Sequence, residues 1–198
     1  MYDLILNWLI SNYIELLGAI LGILYIFFSI RQNILTWPTG LVTSALYIIV
    51  FLNAKFYADM ALQCYYVAIS IYGWYFWLKG GDKAKTIEVP VSRLSKRIFW
   101  IMIPVTVVVY GIILYILLNY TDSPVPYMDS MTTALSVVAT WMLARKIIEH
   151  WIIWVFVDAV SAGLYIYKSL WPTTVLFIVY TIMAVAGYYE WKKKLKTE

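Results

Sequence analysis

The chain has 198 residues, of which 63% are hydrophobic and 13% are charged, with a formal net charge of +4. Soluble domains contain about 45–50% apolar residues, so this composition excludes an ordinary soluble fold and favours a lipid bilayer. The single Cys64 excludes an internal disulfide, and the single His150 leaves no Cys/His cluster with metal-ligand spacing. The sequence therefore predicts neither a bound metal nor a cofactor. The first residues, MYDLILNWLI, lack the basic start of a signal peptide and are interpreted as mature sequence.

Seven apolar stretches follow one another along the chain, each close to the length of about 20 residues that a membrane helix needs. They lie at about 14–30, 36–53, 58–78, 98–118, 130–144, 151–167 and 172–190. The segment 79–97 is predicted to be a solvated linker, and residues 119–129 are predicted to be a turn-rich loop. The predicted fold class is an all-α membrane protein with seven transmembrane helices.

The lysines and arginines are distributed unequally between alternate loops. Thirteen of the fifteen lie in the segments 31–35, 79–97, 145–150 and 192–198. The opposite side keeps only Lys55 and Lys168. Because positively charged loops remain in the cytoplasm, the C-terminus is predicted to be cytoplasmic and the N-terminus to be outside. The positive charge is then explained as a topology signal, and the basic side chains can also contact anionic lipid. Nucleic acid is excluded as a partner.

A weak internal repeat appears when the sequence is shifted by 114 residues. The shift superposes Arg31 on Arg145, Trp37 on Trp151, Leu62 on Leu176, Tyr66 on Tyr180, Gly73 on Gly187 and Trp77 on Trp191. Residues 1–78 and 130–198 are therefore predicted to be two three-helix repeats. Residues 79–129 are predicted to form a cytoplasmic linker, an unmatched linker helix and an outer loop. With one helix between them the repeats run in the same orientation, as in transporters that bind substrate near the midplane between their halves.

The most unusual residue is Asp158, an acid in the middle of the apolar stretch HWIIWVFVDAVSAGLY. A charged side chain at the centre of a membrane helix costs at least about 2.5–3.5 kcal/mol, so it is expected to face the bundle interior or a wet cavity. The functional interpretation is a counter-charge or hydrogen-bond acceptor for a substrate. The structural alternative is an acid that bonds hydroxyls such as Ser44, which the repeat shift places opposite Asp158, or that pairs with a lysine.

Aromatic and polar side chains near Asp158 complete the predicted substrate site. Trp154 lies one helical turn from Asp158 and Trp151 one turn before Trp154, so their rings suit a flat cationic ligand. The alternative for both tryptophans is packing at the membrane interface. Gln63 is a polar group inside an apolar stretch, so it is expected to bond either a ligand or another helix. The third helix also carries Tyr66 and Ser70, and the second helix adds Tyr47 and Ser44.

The stretch RQNILTWPTGLVTSALYIIVFLNAKFYADMALQCYYVAISIYGWYFW resembles the PnuC family of bacterial vitamin transporters. The elements RQN, Y-A-D-x-x-L-Q and I-Y-G-W carry the match, at Arg31–Asn33, Tyr57–Gln63 and Ile71–Trp74. The second half adds the pattern W-x-x-W-x-x-x-D, at Trp151, Trp154 and Asp158. The resemblance extends over nearly the whole chain.

This resemblance implies a 3+1+3 arrangement of helices with SWEET-like architecture. It also implies facilitated diffusion of a vitamin precursor across the bacterial inner membrane, with a cytosolic vitamin kinase that traps the substrate by phosphorylation. The family pattern assigns ligand contacts to Gln63 and to the stripe of Trp151, Trp154 and Asp158. Similar proteins assemble as trimers, which implies a homotrimer. By the same resemblance the chain is a transporter and not an enzyme.

Two substrates remain open. Nicotinamide riboside is the best-known substrate of the family, but carriers of it tend to have asparagine at the positions of Asp158 and Ser70. Nicotinamide riboside and thiamine are both flat cations that suit an acid, so they stand as equal alternatives, whereas neutral riboflavin does not need Asp158. The rival classes are an intramembrane enzyme, which would need a second reactive group, a receptor-like seven-helix protein without transport, and an ion channel.

Overall fold

The computed structural model describes residues 13–53, 57–79, 89–167 and 171–195. These residues form seven helices: α1 (Tyr13–Ile30), α2 (Thr36–Asn53), α3 (Tyr57–Lys79), α4 (Lys96–Tyr120), α5 (Pro126–Ala144), α6 (His150–Tyr167) and α7 (Trp171–Leu195). The prediction of an all-helical fold with seven helices is confirmed. The largest differences are at α5, which begins earlier than predicted, and at α7, which continues to Leu195. The N-terminus that was predicted to be outside and residues 80–88 of the predicted linker lie outside the described residues.

The local sequence sets two of the helix starts. Pro126 occupies the first turn of α5, where a missing amide donor costs little because that amide has no acceptor within the helix. Ser95 caps α4, since its hydroxyl oxygen accepts a hydrogen bond from the amide of Ile98 at 3.3 Å. The proline explains why α5 begins before its apolar stretch does.

The same left-handed turn ends both α1 and α5. Gln32 and Lys146, which are 114 positions apart, have backbone φ angles of 55° and 52°. In each turn this residue donates its amide to the carbonyl three residues earlier, and the next residue donates to the carbonyl five residues earlier. This is the Schellman closure, which usually has glycine at the left-handed position because other side chains are strained there. Both side chains are buried despite that strain.

Six of the seven described helices form a closed ring of pairwise contacts. Helix α1 packs on α2 and α7, α2 packs on α3, α3 packs on α5, and α6 packs on both α5 and α7. Helix α4 packs on α5 and has no buried residue, so it lies outside the ring. The buried positions of α5 are mostly small or hydroxyl-bearing, which allows neighbouring helices to approach it closely. This ring is the frame that holds the candidate site.

Two tryptophans pack directly on glycines of the neighbouring helix. A Cβ atom added to Gly73 would lie 2.3 Å from the ring of Trp37, and one added to Gly187 would lie 2.6 Å from the ring of Trp151. Both distances are well below the usual carbon–carbon contact of about 3.5–4.0 Å. Only glycine therefore allows α3 to approach α2, and α7 to approach α6, this closely.

Two further indoles connect the first three helices to the last three. The Nε1 of Trp77, on α3, donates to the carbonyl of Ala144 in the last turn of α5 at 3.1 Å. The Nε1 of Trp191, on α7, donates to the carbonyl of Ser29 in the last turn of α1 at 3.0 Å. Carbonyls in the last turn of a helix have no partner within that helix. The Trp77 bond therefore satisfies a carbonyl at the end of α5, whereas the carbonyl of Ser29 already accepts the amide of Gln32. The two indole bonds join α3 to α5 and α7 to α1.

Residues 89–95, which precede α4, pack against the turn between α5 and α6. Ser92 pairs with Ile147 in a parallel bridge. Val89 and Val91 are each only 7% exposed. The prediction of a solvated linker is therefore wrong for this part of it. The physical reason is that two valines two positions apart give an extended segment one apolar face, which is buried against the bundle.

Three of the described helices are long and apolar enough to cross a membrane, by length and composition: α4, α6 and the Thr173–Leu195 part of α7. Shorter apolar stretches occupy Ile20–Ile30 of α1 and Thr36–Val50 of α2. Helices α3 and α5 are less apolar because they carry many tyrosines, serines and threonines. A membrane bundle accommodates such polar side chains where they face other helices instead of lipid.

Candidate functional site

The buried acid of α6 lies close to tyrosines from two other helices. Asp158 is 5% exposed. Its carboxylate interacts electrostatically with the phenol groups of Tyr66, on α3, and Tyr180, on α7. Among the residues that the structure describes, none forms a salt bridge with Asp158. A buried carboxylate is stabilised by a positive or hydrogen-bond-donating partner, so Asp158 is suited to a ligand that carries such a group.

Glycines on α1 and α2 make room for tyrosines of the site. A Cβ atom added to Gly22 would lie 2.7 Å from the hydroxyl of Tyr180, and one added to Gly40 would lie 2.8 Å from the ring of Tyr25. The hydroxyl of Ser70 is 3.3 Å from the same position at Gly40. Ser70 and Tyr25 therefore meet over Gly40, and Tyr180 reaches from α7 to the surface of α1.

A row of hydroxyl side chains on α5 completes the polar surroundings. Thr132, Ser136 and Thr140 are four positions apart, so they lie on one face of the helix, and all three are buried. The hydroxyls of Ser136 and Thr140 interact with the hydroxyl of Tyr66. Because Tyr66 also interacts with Asp158, polar groups of α3, α5 and α6 meet at this point in the ring.

The residues predicted from the sequence differ in burial and in their neighbours. Asp158, Trp151, Ser44 and Ser70 are buried, whereas Trp154, Gln63, Tyr66 and Tyr47 are half-buried. Tyr66 interacts with Asp158 directly, and Tyr47 interacts with Tyr180, which in turn interacts with Asp158. Gln63 precedes Tyr66 by three positions, so it lies on the same face of α3. Tyr66 and Tyr47 are therefore the predicted residues that the structure links to the acid.

Trp151 lies instead in an aromatic cluster at the start of α6. Its ring centroid is 4.5 Å from that of His150 and 5.8 Å from that of Trp191. Trp151 and Asp158 are separated by about 10 Å along the helix axis. The packing of this cluster accounts for the burial of Trp151. Trp154, three positions later in α6, lies almost one turn nearer to Asp158.

Four residues near the acid were not predicted as site residues from the sequence: Tyr25, Tyr180, Ser136 and Thr140. Tyr180 is the repeat partner of Tyr66, which is the signal that could identify it. The spacing of Ser136 and Thr140 indicates a common face. It does not indicate a ligand, because hydroxyls in apolar helices commonly bond their own backbone.

A ring of helices with a buried acid, tyrosines and hydroxyls between them has the construction of a membrane transporter for a small solute. A family model described as "Nicotinamide mononucleotide transporter" matches residues 12–193. The chain therefore belongs to this family of transporters, the PnuC family, and the resemblance predicted from its sequence motifs is confirmed.

Curated relatives match most of the chain. The nicotinamide riboside transporter PnuC of Escherichia coli (strain K12) is 24% identical and covers 91% of this chain and 85% of its own length. The protein of the same name from Neisseria mucosa is 28% identical, over 96% of this chain and 74% of its own length. The riboflavin/roseoflavin transporter RibM of Streptomyces davaonensis is 24% identical, over 94% of this chain and 92% of its own length.

A solved structure has the same fold. The crystal structure of the Vitamin B3 transporter PnuC matches with a TM-score of 0.76 at 24% sequence identity. The match covers 98% of this chain and 87% of that chain. The arrangement of helices described above is therefore the fold of a solved vitamin transporter.

Proposed function

We propose that this chain is a facilitator for uptake of nicotinamide riboside across the bacterial inner membrane. The observation that carries the proposal is the burial of Asp158 between tyrosines of α3 and α7. Nicotinamide riboside has a permanent positive charge on a flat pyridinium ring. A carboxylate supplies the opposite charge, and a nearby aromatic face attracts such a cation by roughly 0.5–2 kcal/mol.

The relatives support nicotinamide riboside over thiamine as the substrate. The matched proteins of Escherichia coli and Neisseria mucosa are nicotinamide riboside transporters, and they align with nearly the whole chain. Thiamine is also a flat cation and would use Asp158 in the same way, so it is the first ligand to compare. Riboflavin is the second ligand to compare, because one relative is a riboflavin/roseoflavin transporter. A neutral flavin, however, gains no charge pairing from Asp158.

Four of the predicted site residues have a specific role in this proposal. Asp158 is the counter-charge, and Trp154 is the aromatic face beside the cation. Gln63 and Tyr66 offer hydrogen bonds from α3. The remaining members of the site are Trp151, Ser70, Tyr47 and Ser44.

Transport is proposed to occur by rocking of two three-helix halves, 1–78 and 130–198, which the segment 79–129 joins. The 114-residue shift relates the contact of Trp37 with Gly73 to that of Trp151 with Gly187. It also relates the two left-handed helix ends and the two indoles that donate between the halves, although their acceptors, Ala144 and Ser29, are one position out of this register. These pairs support a parallel repeat with SWEET-like 3+1+3 architecture. The distribution of lysine and arginine supports an outer N-terminus and a cytoplasmic C-terminus.

Uptake is proposed to be facilitated diffusion, without a coupling ion. A cytosolic vitamin kinase would phosphorylate the incoming riboside and so keep its inward gradient. The proposed assembly, from the family resemblance, is a homotrimer. An intramembrane enzyme, a receptor-like protein and an ion channel have less support than a carrier, because the family is one of transporters.

The proposal is tested by ligand binding to the purified protein, measured by quenching of tryptophan fluorescence. The affinities of nicotinamide riboside, thiamine and riboflavin are compared for the wild-type chain and for Asp158→Asn. The control is Asp122→Asn, because Asp122 is an exposed acid between α4 and α5. The expected result is that nicotinamide riboside binds most tightly, that Asp158→Asn weakens it at least tenfold and that Asp122→Asn does not change it. Tighter binding of thiamine would reassign the substrate, and equal binding to Asp158→Asn would remove the proposed role of the acid.

A further inference from the structure

Hydroxyl side chains on the helices of the ring fall into two groups. In the first group the hydroxyl donates to the backbone carbonyl four residues earlier, at 2.6–2.8 Å, as it does in Thr43, Ser130, Ser136, Thr140 and Thr181. A hydroxyl has one proton, so these side chains have none left to donate to a ligand. In the second group, which contains Ser44, Ser70 and Ser161, the hydroxyl forms no hydrogen bond within the part of the chain that the structure describes. The second group therefore keeps both its proton and its acceptor positions.

Burial makes the second group unusual. Ser44, Ser70 and Ser161 are only 5%, 4% and 8% exposed, and a buried polar group without a partner costs free energy. Ser29 is also buried without a partner for its hydroxyl, but protein atoms enclose that hydroxyl completely, so a ligand cannot reach it. The hydroxyls of the other three serines are not enclosed in this way. They are therefore able to pair with a molecule that enters the ring.

Ser161 lies on the same face of α6 as the buried acid. It follows Asp158 by three positions, which places the two Cβ atoms about 5–6 Å apart. Both residues are buried, whereas Ala159 and Gly163 are exposed, so the face that carries the acid and the serine points into the bundle. Asp158 also forms no hydrogen bond with another described residue. One face of α6 therefore presents a carboxylate, which accepts hydrogen bonds when ionised, beside a hydroxyl that both donates and accepts.

The chemistry of nicotinamide riboside matches this pair of side chains. Its ribose is attached directly to the positively charged ring, so a ring that pairs with Asp158 has its sugar within reach of a side chain one turn away. Each ribose hydroxyl both donates and accepts hydrogen bonds, as the hydroxyl of Ser161 does. Thiamine is also a flat cation, but it carries no ribose. A site that bonds a hydroxyl of its substrate discriminates against an analogue that lacks it, because the polar group of the site is then left unpaired.

We propose that Ser161 is a specificity-determining residue, which forms a hydrogen bond with a ribose hydroxyl of the ligand while Asp158 pairs with the charged ring. This inference rests on the proposed function, in which nicotinamide riboside is the substrate. It gives the chain a means to distinguish the riboside from thiamine, which Asp158 alone does not supply because both ligands are flat cations.

The test is a cycle that combines Ser161→Ala with nicotinamide riboside and its 2′-deoxy and 3′-deoxy analogues, with affinity measured by tryptophan quenching. Ser161→Ala is expected to weaken binding of the riboside roughly three- to tenfold, the effect of one lost neutral hydrogen bond. One of the two analogues lacks the hydroxyl that Ser161 bonds, and this analogue is expected to bind the wild type and Ser161→Ala equally. Ser130→Ala is the matched control, because this buried serine donates its proton to the carbonyl of Pro126, and it is expected to bind the riboside as the wild type does.

Thermal unfolding of Ser161→Ala separates a role in binding from a role in the fold. The hydroxyl has no partner in the described chain to lose, and alanine favours a helix more than serine does, so the melting temperature is expected to be no lower than that of the wild type. Unchanged affinity of Ser161→Ala for the riboside overturns the inference. An equal loss of affinity for the riboside and for both analogues also overturns it. A wild-type chain that does not bind the riboside contradicts the proposed function itself, which is a different outcome from a variant that binds as the wild type does.

Discussion

The close packing of Trp37 and Trp151 on glycine makes the substitutions Gly73→Ala and Gly187→Ala a sharp test of the fold. An added Cβ would lie 2.3 Å from Trp37 at Gly73 and 2.6 Å from Trp151 at Gly187. Ordinary contact between carbon atoms is about 3.5–4.0 Å, so each indole must move by about 1 Å or more. Both indoles are almost fully buried and have little room in which to move.

The expected loss of stability follows from two opposing effects. Overpacking of a buried site costs about 1–3 kcal/mol, whereas replacing glycine by alanine inside a helix stabilises it by about 0.5–1 kcal/mol. The net destabilisation is therefore about 1–2 kcal/mol. For a chain of this size, about 1 kcal/mol shifts the melting temperature by roughly 2–4 °C, which predicts a decrease of roughly 2–8 °C. Gly73→Ala is expected to be the more severe change because its contact is shorter.

The assay is thermal unfolding of the purified protein in detergent, with Gly163→Ala as the matched control. Gly163 is also inside a helix, but a Cβ atom there meets no atom within 4 Å. Gly163→Ala is therefore expected to leave the melting temperature unchanged or to raise it by a few degrees, roughly the gain in helix propensity. Equal melting temperatures for all three variants would refute the packing of the tryptophans on Gly73 and Gly187.

Two further substitutions test other contacts by the same unfolding measurement. Trp191→Phe removes the bond to the carbonyl of Ser29 and is expected to lower the free energy of unfolding by about 1 kcal/mol. The control Trp100→Phe, at a position 70% exposed, is expected to leave it unchanged. Equal effects of the two substitutions would argue against the bond between α7 and α1. Val91→Ala is expected to lower the free energy of unfolding by about 1–3 kcal/mol because Val91 is buried. The control Val107→Ala, at a position 63% exposed, is expected to change it little. An unchanged free energy of unfolding in Val91→Ala would show that residues 89–95 are not packed against the bundle.

The helices were the most predictable part of this protein. Long apolar stretches bounded by charged or turn-forming residues indicate membrane helices, and all seven appear within a few residues of the predicted positions. The docked segment before α4 was not predicted, because Val89 and Val91 are a short apolar pair within a charged linker. Their burial depends on the turn after α5, which is distant in the sequence.

The surroundings of Asp158 were predictable only in part. An acid in an apolar helix is unusual enough to mark a site by itself, and the repeat relates Tyr66 to Tyr180. The contact of Tyr66 with Ser136 and Thr140 depends on which helices are neighbours, and periodicity within one helix carries no such information. Trp151 and Trp154 also look alike in the sequence because they are about one turn apart. In the structure, Trp151 packs in an aromatic cluster at the start of α6.

The central claim, that this chain moves nicotinamide riboside down its gradient without a coupling ion, is tested most directly by flux into liposomes that contain the purified protein. Labelled riboside is expected to equilibrate between the two sides, at a rate that proton and sodium gradients do not change and that Asp158→Asn lowers strongly. Accumulation of unmodified riboside above the outside concentration, driven by either gradient, would contradict facilitated diffusion. Uptake no faster than in protein-free liposomes would contradict transport of this substrate.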